Sequence, residues 1–311
     1  MQKKILLTGA SGLLGGNILQ AAASDPHTHL LALHRDADFI IPPQFRTSTA
    51  RDPATIDVQS MDLASHTELW NILSLWKPGA VIHTAAMADP ATCERYPEAA
   101  ETLNFTATRI LADVCEQLGI RLVFISTDLV FDGTKDASEG FYKEDAARNP
   151  VSLYARTKVR AEDHILNALE NAMILRTSVM FGQSPRGTRS LNERLLLDYK
   201  QNKSLVFFED EYRTPVDVSV LARIAVDAAS NDLRGVYHAV GSERVSRAEI
   251  ARRLCAKYGI DTSLLKFVKL SDARSFPERP PDCSLDNSKL LDAMNLVMPS
   301  MDEVISRLQG L

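Results

Sequence analysis

Tyr154 and Lys158 stand four positions apart in Ser152 to Asn167, a stretch whose pattern predicts a helix. On a helix the two side chains leave one face and can meet at a single site. A free tyrosine, with a pKa near 10, exchanges protons sluggishly at neutral pH. A nearby ammonium favours the phenolate, and a thousandfold gain in acidity needs about 4 kcal/mol of differential stabilisation. Earlier in the chain, Ser126-Thr127-Asp128 follows the apolar run Arg121 to Ile125. Hydroxyls at the carboxyl end of such a strand point into the cleft of an open parallel sheet. The same residue types also build turns by bonding local backbone, and Ser126, Asp128 and Asp132 read as readily that way. Tyr-x-x-x-Lys alone also describes a surface tyrosine beside a solvated lysine, so the rest of the chain has to decide.

The deciding stretch is Lys3-Lys-Ile-Leu-Leu-Thr8-Gly9-Ala-Ser-Gly12-Leu-Leu-Gly15-Gly16-Asn17, an apolar strand that runs through a glycine-spaced turn into a helix. Gly9 suits the tight turn, Gly12 lets the backbone approach a pyrophosphate without a Cβ between, and Gly15 allows the helix to pack closely on the strand. The exposed N–H groups and the positive dipole end of the new helix then face the phosphates. Gly9, Ser11, Gly12, Leu13, Leu14 and Gly15 are therefore the candidate contacts to a dinucleotide. A second apolar run, Leu30 to Leu33, ends in His34-Arg35. A ribose 2′-hydroxyl is usually held at that point by an acid, whereas a 2′-phosphate needs positive charge, which an arginine fork supplies. NADP(H) is thus expected ahead of NAD(H), with Asp36 and Asp38 near enough in sequence to take a ribose instead.

Other elements fall into alternation. Residues 39–57 lack a period and read as loop, Val58 to Leu63 as a strand end, and Ser65 to Trp76 as an amphipathic helix. Gly79 to Ala86 reads as a buried strand ending in small residues, where a flat ring or ribose can lie against the backbone. His83, within that strand and without an acid nearby in sequence, reads as a satisfied core histidine. Glu98 to Leu118 gives one long helical pattern. Past residue 180 the character changes, and Ser246 and Glu249 stand in capping-box spacing before a helix over Ala248 to Tyr258. The pattern predicts an α/β chain: a Rossmann-type, doubly wound parallel sheet from 1–179 with 213–240 returning to it, and a smaller C-terminal substrate lobe from 180–212 and 241–311.

Composition narrows the partners. In 311 residues, 45% are hydrophobic and 24% charged, with a net charge of −5 and no dense Lys/Arg run, which argues against nucleic acid or an anionic membrane. The four cysteines, Cys93, Cys115, Cys255 and Cys283, lack metal-ligand spacing, so free thiols in a reducing compartment and no metal are expected. Met1 to Leu7 is too short for a leader, and no apolar run reaches a membrane span. The cytoplasm is the expected location.

With the glycine turn first, the Ser-Thr hydroxyls next and the Tyr/Lys helix after them, the whole chain resembles the extended short-chain dehydrogenase/reductase family. The resemblance implies that Thr127 holds the substrate carbonyl, Tyr154 gives or takes the proton, and Lys158 orients the nicotinamide ribose while tuning Tyr154. It also implies that Asp62 and Leu63 contact adenine, that Ala85, Ala86 and Met87 flank the cofactor, and that Asn104 lies behind the active site. Ser126 to Gly133, Arg176-Thr-Ser178, Arg213-Thr-Pro215 and Arg279 to Leu290 are similar to the dTDP-4-dehydrorhamnose reductase branch. That likeness implies a nucleotide-sugar substrate contacted by Thr127 and Asp128, with Arg213 and Arg279 clamping its pyrophosphate, and a homodimer. Asp128 is followed by Leu129, so the Asp-Glu pair of the related dehydratases is missing. Two other activities belong with the same motifs. The chain also resembles the regulatory beta subunit of methionine adenosyltransferase, an NADP-binding partner protein, and an NAD-dependent nucleotide-sugar epimerase is the remaining alternative.

Overall fold

Seven strands form one sheet in the computed structural model, which describes residues 3–35, 39–45, 54–135, 140–272 and 278–309. They are β1 (Lys3–Thr8), β2 (Thr28–His34), β3 (Thr55–Ser60), β4 (Ala80–His83), β5 (Arg121–Thr127), β6 (Ala172–Thr177) and β7 (Gly235–His238). Their order is β7-β6-β5-β4-β1-β2-β3, and every neighbouring pair is parallel. This is the expected doubly wound sheet. The order reverses between β1 and β4, which opens a crevice at their carboxyl ends.

Both faces of the sheet are covered, so its strands read as continuous apolar runs. Among the helices are α1 (Leu13–Ala23), α2 (His66–Trp76), α3 (Ala107–Leu118), α4 (Leu153–Ala168), α5 (Leu191–Lys200), α6 (Val218–Ala228), α7 (Arg247–Tyr258) and α8 (Met301–Arg307). Successive strand residues point to opposite faces. Ile5, Leu7, Leu30, Ile82 and Val123 pack with α1 and α6, while Leu6, Leu31, Val81, Leu122 and Phe124 pack with α2, α3 and α4. A third core joins α5, α7 and α8 through Leu195, Leu254, Met301 and Val304, together with Phe207 and Leu265 of a parallel strand pair. The segment Ser288–Met294 lies elsewhere, against β7: Leu290 joins the α1/α6 core, and Lys289 Nζ donates to Val236 O at 2.7 Å.

Several elements differ from the sequence reading. Strand β3 begins at Thr55, inside the segment read as loop, and ends at Ser60, so Asp62 and Leu63 sit in the turn after it. Strands β6 and β7 had no distinct signal, because a short apolar run without alternation has no period of its own. The pattern over 98–118 is broken by a π-helical turn at Thr102–Thr106 that contains Asn104; such turns gather at functional sites. Only half of the capping box forms at α7, where Ser246 Oγ accepts the Glu249 N–H at 3.1 Å while the Glu249 side chain binds Arg253. Among the described residues, no helix is long and apolar enough to cross a membrane.

Candidate active site

The glycine turn closes against the end of β4 so tightly that only glycine fits. Gly9 has φ +75°, and a Cβ there would meet Ala85 N and Thr84 Oγ1 at 2.7 Å. A Cβ on Gly15 would come within 2.2 Å of Gly9 O, and one on Gly12 within 3.1 Å. Gly12 caps α1 without a side-chain bond, and the first turn carries no acidic residue. The N–H groups there suit an anion, so the cradle fits a dinucleotide pyrophosphate. Ser11 and Leu13 are half-buried beside it, whereas Leu14 is 5% exposed and belongs to the core, leaving its backbone as the part available to a ligand. Leu63 is likewise a core side chain, and exposed Asp62 uses one oxygen to accept the Ala64 N–H at 3.0 Å.

Ala85, Ala86 and Met87 lie half-buried beyond β4. Asn104 holds that segment in place: its Oδ1 accepts the Met87 N–H at 2.8 Å, and its Nδ2 donates to Met87 O at 3.2 Å. At the end of β2, Arg35 is exposed and His34 is buried. His34 Nδ1 has no hydrogen-bond partner among the described residues, the condition in which a buried nitrogen awaits a ligand atom. Asp36 and Asp38 lie outside the described residues. His83 is the satisfied histidine that the sequence suggested. It bonds Thr8 Oγ1 at 2.7 Å and Thr108 Oγ1 at 2.9 Å, and burial holds its pKa down at about 3.

Thr127, Tyr154 and Lys158 converge where β5 ends. Ser152 caps α4 by accepting the Ala155 N–H at 3.3 Å, and Glu94 Oε1 accepts the Leu153 N–H at 2.7 Å. This fixes the first turn of α4, where Tyr154 is 8% exposed and hydrogen-bonded to Thr127. Thr127 Oγ1 accepts the Leu129 N–H and donates to Asp128 Oδ1, both at 3.2 Å. One turn along, Lys158 Nζ donates to Ile125 O at 2.6 Å and lies 3.9 Å from the centre of the Phe124 ring. Burial brings its pKa down to about 7, an effect that the Glu162 carboxylate partly offsets. The expected acidification of the phenol is not what the geometry produces. Desolvation of the phenol dominates and raises the Tyr154 pKa; the Thr127 hydroxyl lowers it only in part, and the Asp128 carboxylate adds to the rise.

Of the four side chains assigned to substrate by resemblance, Asp128, Arg213 and Arg279 are engaged with other protein groups. Asp128 is 4% exposed, and its Oδ2 accepts from Ser178 Oγ at 2.5 Å and lies 3.6 Å from Arg213 Nε. It buttresses Thr127 and keeps no open oxygen for a sugar; burial raises its pKa. Arg213, 3% exposed, donates to the carbonyls of Tyr212 and Pro280 at 2.6 and 3.1 Å and pairs with Glu211 at 3.2 Å. Arg279 makes a bidentate pair with Glu211, at 2.8 and 3.0 Å. Local sequence could not show this, since Glu211 lies 68 positions from Arg279.

A second buried carboxylate also escaped the sequence reading. Glu162, four residues past Lys158 on the same face of α4, is wholly buried. It accepts from Ser126 Oγ at 2.5 Å, from Arg176 Nε and Nη2 at 3.0 and 2.8 Å, and from Arg148 Nη1 at 3.1 Å. Its helical spacing from Lys158 was the available signal. Ser126 is thereby a structural hydroxyl.

Comparison with known proteins follows this geometry. The family model described as the RmlD substrate binding domain matches residues 3–309. Methionine adenosyltransferase 2 subunit beta of Xenopus laevis is 30% identical over 93% of this chain and 81% of its own. A probable low-salt glycan biosynthesis reductase of Haloferax volcanii, Agl14, is 25% identical over 98% of this chain and 96% of its own. Among solved structures, dTDP-4-dehydrorhamnose reductase from Bacillus anthracis in complex with NADP superposes with a TM-score of 0.80 at 20% identity, covering 99% of both chains.

Proposed function

Because the chain belongs to the RmlD substrate binding domain family, we propose that it is an NADPH-dependent reductase of a 4-keto-6-deoxysugar nucleotide, with NADH as a possible substitute. The observation that carries the reading is the buried Tyr154 phenol bonded to Thr127, one helical turn from Lys158. Bound NADPH would supply hydride to the ketone carbon. Thr127 polarises the ketone oxygen, and Tyr154 Oη passes its proton to that oxygen, turning C=O into CH–OH. Burial suits Tyr154 to this direction, since a phenol with a raised pKa is protonated at neutral pH. The phenolate left behind favours the charged form of Lys158, which then stabilises it. The glycine cradle would hold the cofactor pyrophosphate, and His34 Nδ1 with exposed Arg35 would receive the 2′-phosphate.

The same reading takes 180–212 and 241–311 as the substrate lobe, and sets the protein in the cytoplasm as a homodimer joined near 98–118 and 151–170. Four buried free cysteines accord with a reducing compartment, and sedimentation tests the dimer. Steady-state NADPH oxidation with dTDP-4-keto-6-deoxyglucose tests the activity. Turnover in the wild type and its collapse in Tyr154→Phe are expected; no turnover with any 4-ketosugar nucleotide overturns the reading.

A second reading has its own support in the 30% identity to the methionine adenosyltransferase subunit. On it the protein binds NADP and regulates a synthetase. Stable co-purification with such an enzyme, with no ketone reduction, would favour it.

A further inference from the structure

Three consecutive residues at the end of β5 are each held by a different turn of α4. Thr127 is hydrogen-bonded to Tyr154, Ile125 O accepts from Lys158 Nζ at 2.6 Å, and Ser126 Oγ donates to Glu162 Oε1 at 2.5 Å. Tyr154, Lys158 and Glu162 lie one turn apart on one face of the helix. The first two bonds belong to the side chains assigned to the chemistry. The third does not, yet Ser126 sits between the other two strand residues, so whatever fixes it also fixes the Ile125 carbonyl and the Thr127 hydroxyl.

Glu162 is itself held from the other side. It is wholly buried, and Arg176 of β6 gives it Nε and Nη2 at 3.0 and 2.8 Å while Arg148 gives it Nη1 at 3.1 Å. Arg176 is tied in turn to Glu144 O at 3.2 Å, and Arg148 to Asp163 at 2.6 Å. A carboxylate reaching these two arginines from any element would satisfy them. This one stands on the face of Tyr154 and Lys158 and spends an oxygen on Ser126.

We propose that Glu162 is the positioning residue of this site, holding the end of β5 through Ser126 so that Lys158 and Thr127 stand where the reduction needs them. This deepens the reductase reading and rests on it for turnover, though not for the state of Lys158. The same carboxylate acts on Lys158 by its charge, which favours the ammonium form. Among the described residues, the other titratable groups facing that ammonium are His83 of β4, neutral because burial holds its pKa down at about 3, and Tyr154, a protonated phenol until it reacts.

Ser126→Ala removes the link and leaves the ion pairs of Glu162 in place. It is expected to lower kcat for NADPH oxidation with dTDP-4-keto-6-deoxyglucose roughly tenfold, with KM and melting temperature close to those of the wild type. Glu162→Gln keeps an acceptor for Ser126 and removes the charge. Lys158 then sheds its proton at lower pH, so the alkaline limb of the kcat–pH profile is expected to move down by about one pH unit. A residue that only props the fold would lower the whole profile without moving that limb. NMR titration of Lys158 in protein carrying isotope-labelled lysine, assigned with Lys158→Met, reads the same shift without turnover. A wild-type kcat in Ser126→Ala, or an unmoved Lys158 titration in Glu162→Gln, overturns the proposal; if Glu162→Gln does not fold, Ser126→Ala decides alone. A displaced Lys158 titration in a chain that reduces no ketone defeats the reductase reading alone, and wild-type turnover with neither effect defeats the Glu162 assignment alone.

Discussion

A hydroxyl is all that Tyr154→Phe removes, so the variant isolates proton delivery. Activity is expected to fall roughly 10²–10⁴-fold, the range for a lost general acid, while the missing bond to Thr127 costs about 1 kcal/mol of stability. Parallel assays of NADPH oxidation and urea unfolding measure the two effects. Lys158 makes the opposite trade. Its folded pKa, about 7, lies below the ordinary value of 10.5. From pH 7 to about pH 10 the unfolded chain therefore holds a proton that the folded protein has shed, and stability from this group rises with pH. At and below pH 7 the penalty is fully present, with an upper bound on the order of 5 kcal/mol. Lys158→Met should flatten that rise and unfold at higher urea at pH 7, even as it abolishes activity; a variant as pH-dependent as the wild type would refute this.

At the scale of elements, the strand-turn-helix unit is constrained by backbone contacts and not by side-chain chemistry. Gly15→Ala would drive a methyl into Gly9 O at 2.2 Å, and neither partner is a flexible side chain that can yield. The expected result is a lower melting temperature together with loss of the rise that NADP gives the wild type. Gly119 supplies the control. It ends α3 at φ +66° with nothing within 4 Å of its Cβ direction, so Gly119→Ala should cost about 1 kcal/mol and leave the NADP-induced rise intact. Equal NADP responses in the two variants would contradict the cradle. The π turn at Thr102–Thr106 is another device at this scale, because it sets Asn104 against both polar groups of Met87.

Across the whole molecule, Glu211 and Glu162 tie together segments far apart in the chain. Glu211 joins the strand segment at Tyr212–Arg213 to Arg279. Glu162 joins α4 to Ser126 of β5, Arg176 of β6 and Arg148. Breaking a buried pair by removing one partner costs about 3–5 kcal/mol, because the remaining charge stays buried without compensation. Glu211→Gln is expected to lose that much in urea unfolding. Unchanged unfolding would show that the cluster is solvated and its charges independent.

Local spacing alone determined the glycine cradle, the Tyr154/Lys158 face and the alternation of strands and helices through β5, because each depends on residues within one or two turns of chain. A Cβ on Gly15 that would meet Gly9 O and an i,i+4 face on α4 are properties of short segments. Sequence also served for His83, whose apolar strand foretold its burial. Tertiary structure decided the electrostatics. Arg213 and Arg279 looked available because Asp128 reaches the first, and Glu211 the second, only through folding. Tyr154 looked acidic because spacing shows which charges are near and not how much water surrounds them. Proton affinity depends on the balance of desolvation against partner charge, and that balance exists only once the elements have packed.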